Sequence, residues 1–189
     1  MSTPHTRRRA TRVTAAVLTG LCAISMSACA GSSTEKSSSS SSGPARTVMS
    51  CNEKLTFTSV PKRVIMLGDT DASTMNALGV LGHVVARAGR IKERAYDAKT
   101  LAKLKAIPTI ASQELNTGGV KVSTETILDQ HADLVIGYDT GVDRDALRKS
   151  GVKMYSTDAR CTAKNPPAPA TFSQVKDEVT KVGQMFDVP

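Results

Sequence analysis

Few side chains in this sequence could make or break bonds, and their spacing excludes the common mechanisms. Past residue 28 the histidines are His83 and His131 alone, and neither has cysteines or carboxylates clustered beside it. A zinc or transition-metal centre needs several such donors converging, so no resident metal or other cofactor is expected, and both histidines read as surface residues. GxGxxG after a strand, GxxxxGK(S/T), GxSxG and HExxH are all absent, which argues against an enzyme. What remains is the chemistry of reversible binding. Tyr138 could pack its ring on a planar ligand and donate a hydrogen bond at once. Arg87 and Arg90 could pair with ligand carboxylates. Asp69 and Asp71 pull the other way, because two acids cancel much of the anion attraction of a helix N-terminus, so the ligand's charge is open.

These residues matter because of the elements that must carry them. From Val48 onward, short apolar runs alternate with helical patterns: KLTFTSV (54–60), an edge strand; RVIML (63–67), a buried strand; a helix from an Asp71 cap to Leu78, stopped by Gly79; and HVVARA (83–88), another strand. ERAYDAKTLAKLKA (93–106) reads as one helix, TIAS (109–112) as a short strand, and Ser123 as the cap of a helix over TETILDQH. ADLVIGY (132–138), the helix 143–151, VKMYST (152–157) and a last helix over 173–186 complete the series. Strands separated by helices in this way predict an α/β fold with a doubly wound, mostly parallel sheet. Ligands of such sheets sit beyond the carboxyl ends of the strands. That rule selects Gly68, Asp69, Thr70 and Asp71, then Arg87 and Arg90, then Ser112 and Gln113, then Tyr138, Asp139 and Thr140. Each has a structural alternative: Asp71 as a helix cap, Arg90 as a solvated cation, Tyr138 as a cover for the sheet edge.

The first 28 residues read as an export signal, with a basic RRRATR stretch, an apolar run from Val13 to about Met26, and small residues before Cys29. The run is interrupted by Thr14, Thr19 and Gly20, whereas a bilayer span takes about 20 apolar residues. MSAC (26–29) resembles the lipobox of bacterial lipoproteins, with Met26 where Leu is usual, and implies a lipid on Cys29; the alternative is a plain cleaved signal. Residues 29–47 are Ser-rich and nearly free of apolar side chains, as a flexible linker is. The domain is then 48–189. Cys51 and Cys161 are the pair that remains, and in an exported protein a disulfide between them is expected.

The 25 basic residues against 17 acids would raise the question of nucleic acid, but Arg7, Arg8, Arg9 and Arg12 fall within the signal. The other cations are scattered among acids and not interleaved with aromatics, so no nucleic-acid partner is expected. With no Trp, three Tyr and three Phe, a pocket has few aromatic walls.

VPKRVIMLGDTDASTMNALGV (60–80) resembles the opening of the iron-siderophore, haem and cobalamin class of ABC-transporter substrate-binding proteins. STETILDQHADLVIGY (123–138) is similar to that family's helix–strand signature, with Ala132 in place of Pro, and LRKSGVKMYST and VGQMF match two later elements in order. The resemblance implies two α/β lobes with the ligand between them, of which 48–189 would be the N-terminal lobe alone, truncated before the inter-lobe helix. It implies capture of an iron-siderophore, haem or cobalamin-like chelate by a protein lipid-anchored on the outer face of the cytoplasmic membrane, and delivery to an ABC permease. The ligand residues would be Asp69, Thr70, Arg87, Arg90, Tyr138 and Asp139. Glu125 stands where the family presents a carboxylate to the permease. The alternative reading is a surface lipoprotein with a protein-binding or envelope role.

Overall fold

A turn at Cys51 and Asn52 folds β1 (Arg46–Ser50) onto β2 (Glu53–Phe57) as an antiparallel hairpin, with Val48, Leu55 and Phe57 buried on one side. The structure is a computed structural model and describes residues 44–69, 71–116, 119–161 and 171–189, all within the unit Ser39–Pro189. Arg46 and Thr47, assigned from the sequence to the linker, are the first residues of β1.

After Pro61 come β3 (Val64–Leu67), α1 (Ala72–Ala77), β4 (Val84–Ala88), α2 (Ala98–Ala106) and a small hairpin of β5 (Gln113–Glu114) and β6 (Val120–Lys121). α3 (Thr124–Asp129), β7 (Leu134–Gly137), α4 (Arg144–Lys149), β8 (Lys153–Tyr155) and α5 (Phe172–Phe186) follow. Four strands form a wholly parallel sheet in the order β4-β3-β7-β8. Every residue of β3 and β7 is buried, as strands covered on both faces must be.

Strand alternation divides the core in two. Val64, Met66, Leu134 and Ile136 face Met75 of α1, Leu104 of α2, Met185 of α5 and Phe57 of the hairpin. Ile65, Leu67, Val135 and Met154 face Ile127 of α3 and Leu147 of α4. Helices therefore lie on both sides, the doubly wound arrangement the alternation predicted. The chain runs outward from β3 to β4, then returns past β3 to β7 and β8, so the winding reverses between β3 and β7. There the backbones meet closely: Gly137 has φ +137°, and a Cβ on it would lie 2.4 Å from the Leu67 carbonyl oxygen.

Four local expectations need correction. TIAS (109–112) is no strand: Arg87 N–H donates to the Pro108 carbonyl and Ile110 N–H to the Arg87 carbonyl, and after this single bridge the chain turns to pair with itself in β5–β6. Residues 93–106 are not one helix, because the Asp97 carboxylate accepts from the Lys99 and Thr100 N–H groups and starts α2 there. Asp71 precedes α1 but makes no side-chain cap; its own φ of −91° and ψ of −2° are helical, where a cap needs extended backbone. His83 is half-buried against Phe186, with ring centroids 5.3 Å apart. By contrast Ser123 caps α3 as expected, and Gly151 closes α4 in the left-handed conformation.

Candidate functional site

At the reversal point the carboxyl ends of the strands open into a cleft of about 470 Å³. β3 contributes Leu67 and, just beyond it, Gly68 and Asp69; the turn after β4 contributes Arg90, Ile91 and Lys92; the β5–β6 hairpin contributes Glu114, Gly119 and Val120. Tyr138 enters from the end of β7 and Arg160 from the segment beyond β8. Arg160 lies over the Tyr138 ring, its guanidinium carbon 4.3 Å from the ring centroid, and Nη1 donates to the Tyr138 hydroxyl. Asp69 is buried, and its carboxylate accepts from the Lys92 N–H at 2.6 Å, so this acid holds the Arg90–Lys92 turn in place. Its carbonyl accepts from the Tyr96 hydroxyl at 2.5 Å, and burial together with Asp69 pushes that phenol up to about 12. The free charge on the lining is thus mainly cationic: Arg90, Lys92 and Arg160 against an exposed Glu114.

The cleft brings together Gly68, Asp69, Arg90 and Tyr138 from the residues selected by strand position. It leaves others out. Arg87 is bound to backbone, donating from Nε to the Leu104 carbonyl and from Nη1 to the Gly89 carbonyl, and so ties β4 to the end of α2. Asp139 turns away toward Arg144. Ser112 accepts from the Gly89 N–H, and Gln113 is exposed in β5. Asp71 is buried and does not line the cleft; burial, with Glu178 adding to it and Arg160 working against it, pushes its carboxyl up to about 6. Glu125 is exposed in the first turn of α3 and does not line the cleft. Thr70 and Cys29 lie outside the described residues.

Arg160 and Lys92 are the cleft cations that strand reading missed, and for Arg160 a signal existed. The strand-end rule, carried one strand further to β8, points to Thr157–Arg160. That segment is a 3-10 turn, Asp158–Arg160, fastened at both ends. At its start, Asp158 N–H donates to Glu178 of α5 at 3.0 Å and the Asp158 carboxylate accepts from Lys181 at 3.0 Å. Glu178 also accepts from the buried Tyr155 hydroxyl; burial and this bond raise the phenol far above its usual range. Burial works against the Lys181 charge, but Asp158 and Glu178 outweigh it and raise its value. At its end, Cys161 is bonded to Cys51, 110 residues earlier, with 5.4 Å between the Cα atoms. The disulfide expected from the cysteine count is therefore present.

A doubly wound lobe with a cleft at the reversal of its winding has the architecture of a solute-binding lobe. No profile of a known protein family matches the sequence, and no curated protein matches it. Solved structures do. An ABC-type Fe3+-hydroxamate transport system structure from Saccharomonospora viridis is 35% identical and matches 75% of this chain and 48% of its own, with a TM-score of 0.67. A periplasmic binding protein from Veillonella parvula matches 76% of this chain and 46% of its own at 19% identity and a TM-score of 0.60. The haem-binding protein HmuT matches 79% and 43% at 17% identity and a TM-score of 0.52; at such identities these two show the fold alone. The chain spans about half the length of the structures it matches, the share of a single lobe. In fold, and over the lobe it spans also in sequence, the chain is similar to the periplasmic binding proteins of iron-chelate transport.

Proposed function

We propose that this chain supplies one lobe of the capture protein of an ABC importer and that its cleft takes one side of a ferric chelate. The observation that carries the reading is the cleft itself, at the carboxyl edge of the sheet, with Tyr138 and the cations Arg90, Lys92 and Arg160 converging on it. Such a lining suits a ligand that presents several oxygen acceptors around a buried metal, as ferric hydroxamates do, or carboxylates, as haem does. A 35% identity to the Fe3+-hydroxamate transport structure ranks the hydroxamate first.

The segment 1–28 is then the export signal, Cys29 the lipidated residue, 29–47 the tether, and the domain sits outside the cytoplasmic membrane. Permease docking falls to Glu125, which stands exposed in the first turn of α3.

One lobe leaves a half-open site, whereas a full pocket covers roughly 70–90% of a small ligand. Affinity of this chain by itself is therefore expected to be weaker than micromolar. Titration with a ferric trihydroxamate, haem and cobalamin, followed by quenching of tyrosine emission, measures it. The expected order is trihydroxamate above haem, with Tyr138→Ala and Arg90→Ala each weakening binding. Quenching by none of the three at millimolar concentration would remove the reading.

A further inference from the structure

The Cys51–Cys161 disulfide joins the turn of the β1–β2 hairpin to the segment just beyond β8, and it ends one residue from a side chain that lines the cleft. We infer that this disulfide is a positioning element for the cleft: it fixes Arg160 on the Tyr138 ring, and its loss releases Arg160 while the lobe stays folded. The inference rests on the reading above only for its consequence in ligand binding.

The geometry has three parts. Arg160 reaches Tyr138 through the ring face and the hydroxyl, so a small shift of its backbone breaks both contacts. Its backbone lies in a three-residue 3-10 turn, too short to hold itself, since an isolated turn of helix is unfavourable without outside support. Among the described residues, the support at the Arg160 end is Cys161. The other half of the bridge is a firm base. Cys51 sits at the tip of the β1–β2 hairpin in a left-handed conformation, φ 58°, beside Ser50. Ser50 Oγ is wholly buried; it accepts from the Ser156 N–H at 2.8 Å and donates to the Ser156 carbonyl at 3.2 Å. Arg144 of α4 closes the same junction, with Nη2 donating to the Met154 carbonyl at 2.9 Å and to Glu53 at 3.2 Å. The hairpin is thereby locked to the end of β8 by contacts that do not involve the disulfide. Opening the bridge leaves this base in place and frees the Arg160 end of the turn. Asp158, bonded to α5, still holds the opposite end.

Two alternatives are separable. A disulfide that only staples the chain would, when lost, lower global stability and leave the folded cleft unchanged. A disulfide that positions Arg160 changes the cleft in the folded state.

The test reads the Tyr138 ring in the full chain without ligand. The chain has three tyrosines, so ring resonances are assigned with Tyr138→Phe, and Tyr96 and Tyr155 report whether the fold persists. In Cys51→Ser/Cys161→Ser, the Tyr138 signals should move most of the way to their positions in Arg160→Ala, with Tyr96 and Tyr155 unmoved. Amide exchange over 158–161 should rise at least about tenfold above that of the sheet strands. If the double variant does not fold, wild type is reduced under native conditions and the same signals are followed in time. Tyr138 signals that stay put while Arg160→Ala moves them would overturn the inference, as would reduction that unfolds the lobe with no earlier local change. A ferric trihydroxamate titration adds the consequence. Arg160→Ala and the double Ser variant should each weaken binding about tenfold, and the triple variant should be no weaker than either. Failure of wild type to bind would count against the chelate reading alone, because the Tyr138 measurement needs no ligand.

Discussion

Asp71 gives this lobe a pH response in the acidic range. Its carboxyl is buried beside Glu178, and its value near 6 exceeds the ordinary 3.8. Between those two values the folded chain keeps a proton that the unfolded chain has lost, so stability falls as pH rises through that window and levels off above it. At 1.36 kcal/mol per pH unit the penalty on the ionised form is on the order of 3 kcal/mol. Asp71→Asn should therefore be more stable than the parent at pH 7, by up to about that amount, and equal to it near pH 3.5. Urea unfolding of both proteins from pH 3.5 to 7.5 checks this; a constant difference across the range would show that the Asp71 carboxyl titrates alike in the folded and unfolded chain. Asp97 behaves oppositely. Its carboxylate accepts from the Thr100 hydroxyl and two N–H groups, which hold it below the usual range.

Among the elements, β7 carries the tightest constraint. A four-residue strand cannot tilt to make room, and Gly137 must lie against the Leu67 carbonyl for Tyr138 to emerge into the cleft. Gly137→Ala forces a Cβ into that carbonyl at a left-handed φ, a cost on the order of 2–4 kcal/mol from overpacking and backbone strain together. Thermal unfolding should show the loss, and the same substitution at Gly151, φ +81°, should cost less, since nothing lies within 4 Å of its added methyl. Equal losses at the two positions would mean that φ alone decides, and that the approach of β3 to β7 has slack. α5 does different work, joining Glu178 and Lys181 to the turn that holds Arg160.

For the molecule as a whole, the predictions concern what it attaches to. Cys29→Ala in a bacterial host should leave the protein soluble or unprocessed where the parent fractionates with membranes, because a diacyl anchor gives stable attachment. Equal partition of the two would remove the anchor. Glu125 separates local from external roles. As a charge near a helix N-terminus it is worth about 0.3–1 kcal/mol to α3. Glu125→Gln in a two-lobed version should keep its fold and ligand affinity while uptake of labelled chelate falls, if the carboxylate meets a basic pocket of the permease. Uptake equal to that of the parent would leave only the local role.

The sequence by itself determined the order and type of the main elements. Short apolar runs such as VIML and LVIG, rich in β-branched residues and bounded by turn signals, read as strands covered on both faces, and Ser123 and Gly151 mark helix ends by local chemistry. It also supplied Asp69, Arg90 and Tyr138, because strand ends point to the cleft of any doubly wound sheet. The β5–β6 hairpin was out of reach, since two-residue strands carry no readable alternation. Arg87 and Asp139 obeyed the same positional rule as Tyr138, yet tertiary structure gave them to Leu104 and Arg144, for a strand end fixes where a side chain starts and only its neighbours decide where it goes. Arg160 entered the cleft for the complementary reason: the strand-end rule at β8 reaches its segment, but its exact place depends on Cys51, Glu178 and Lys181, residues on two other elements. No local pattern records those long-range contacts.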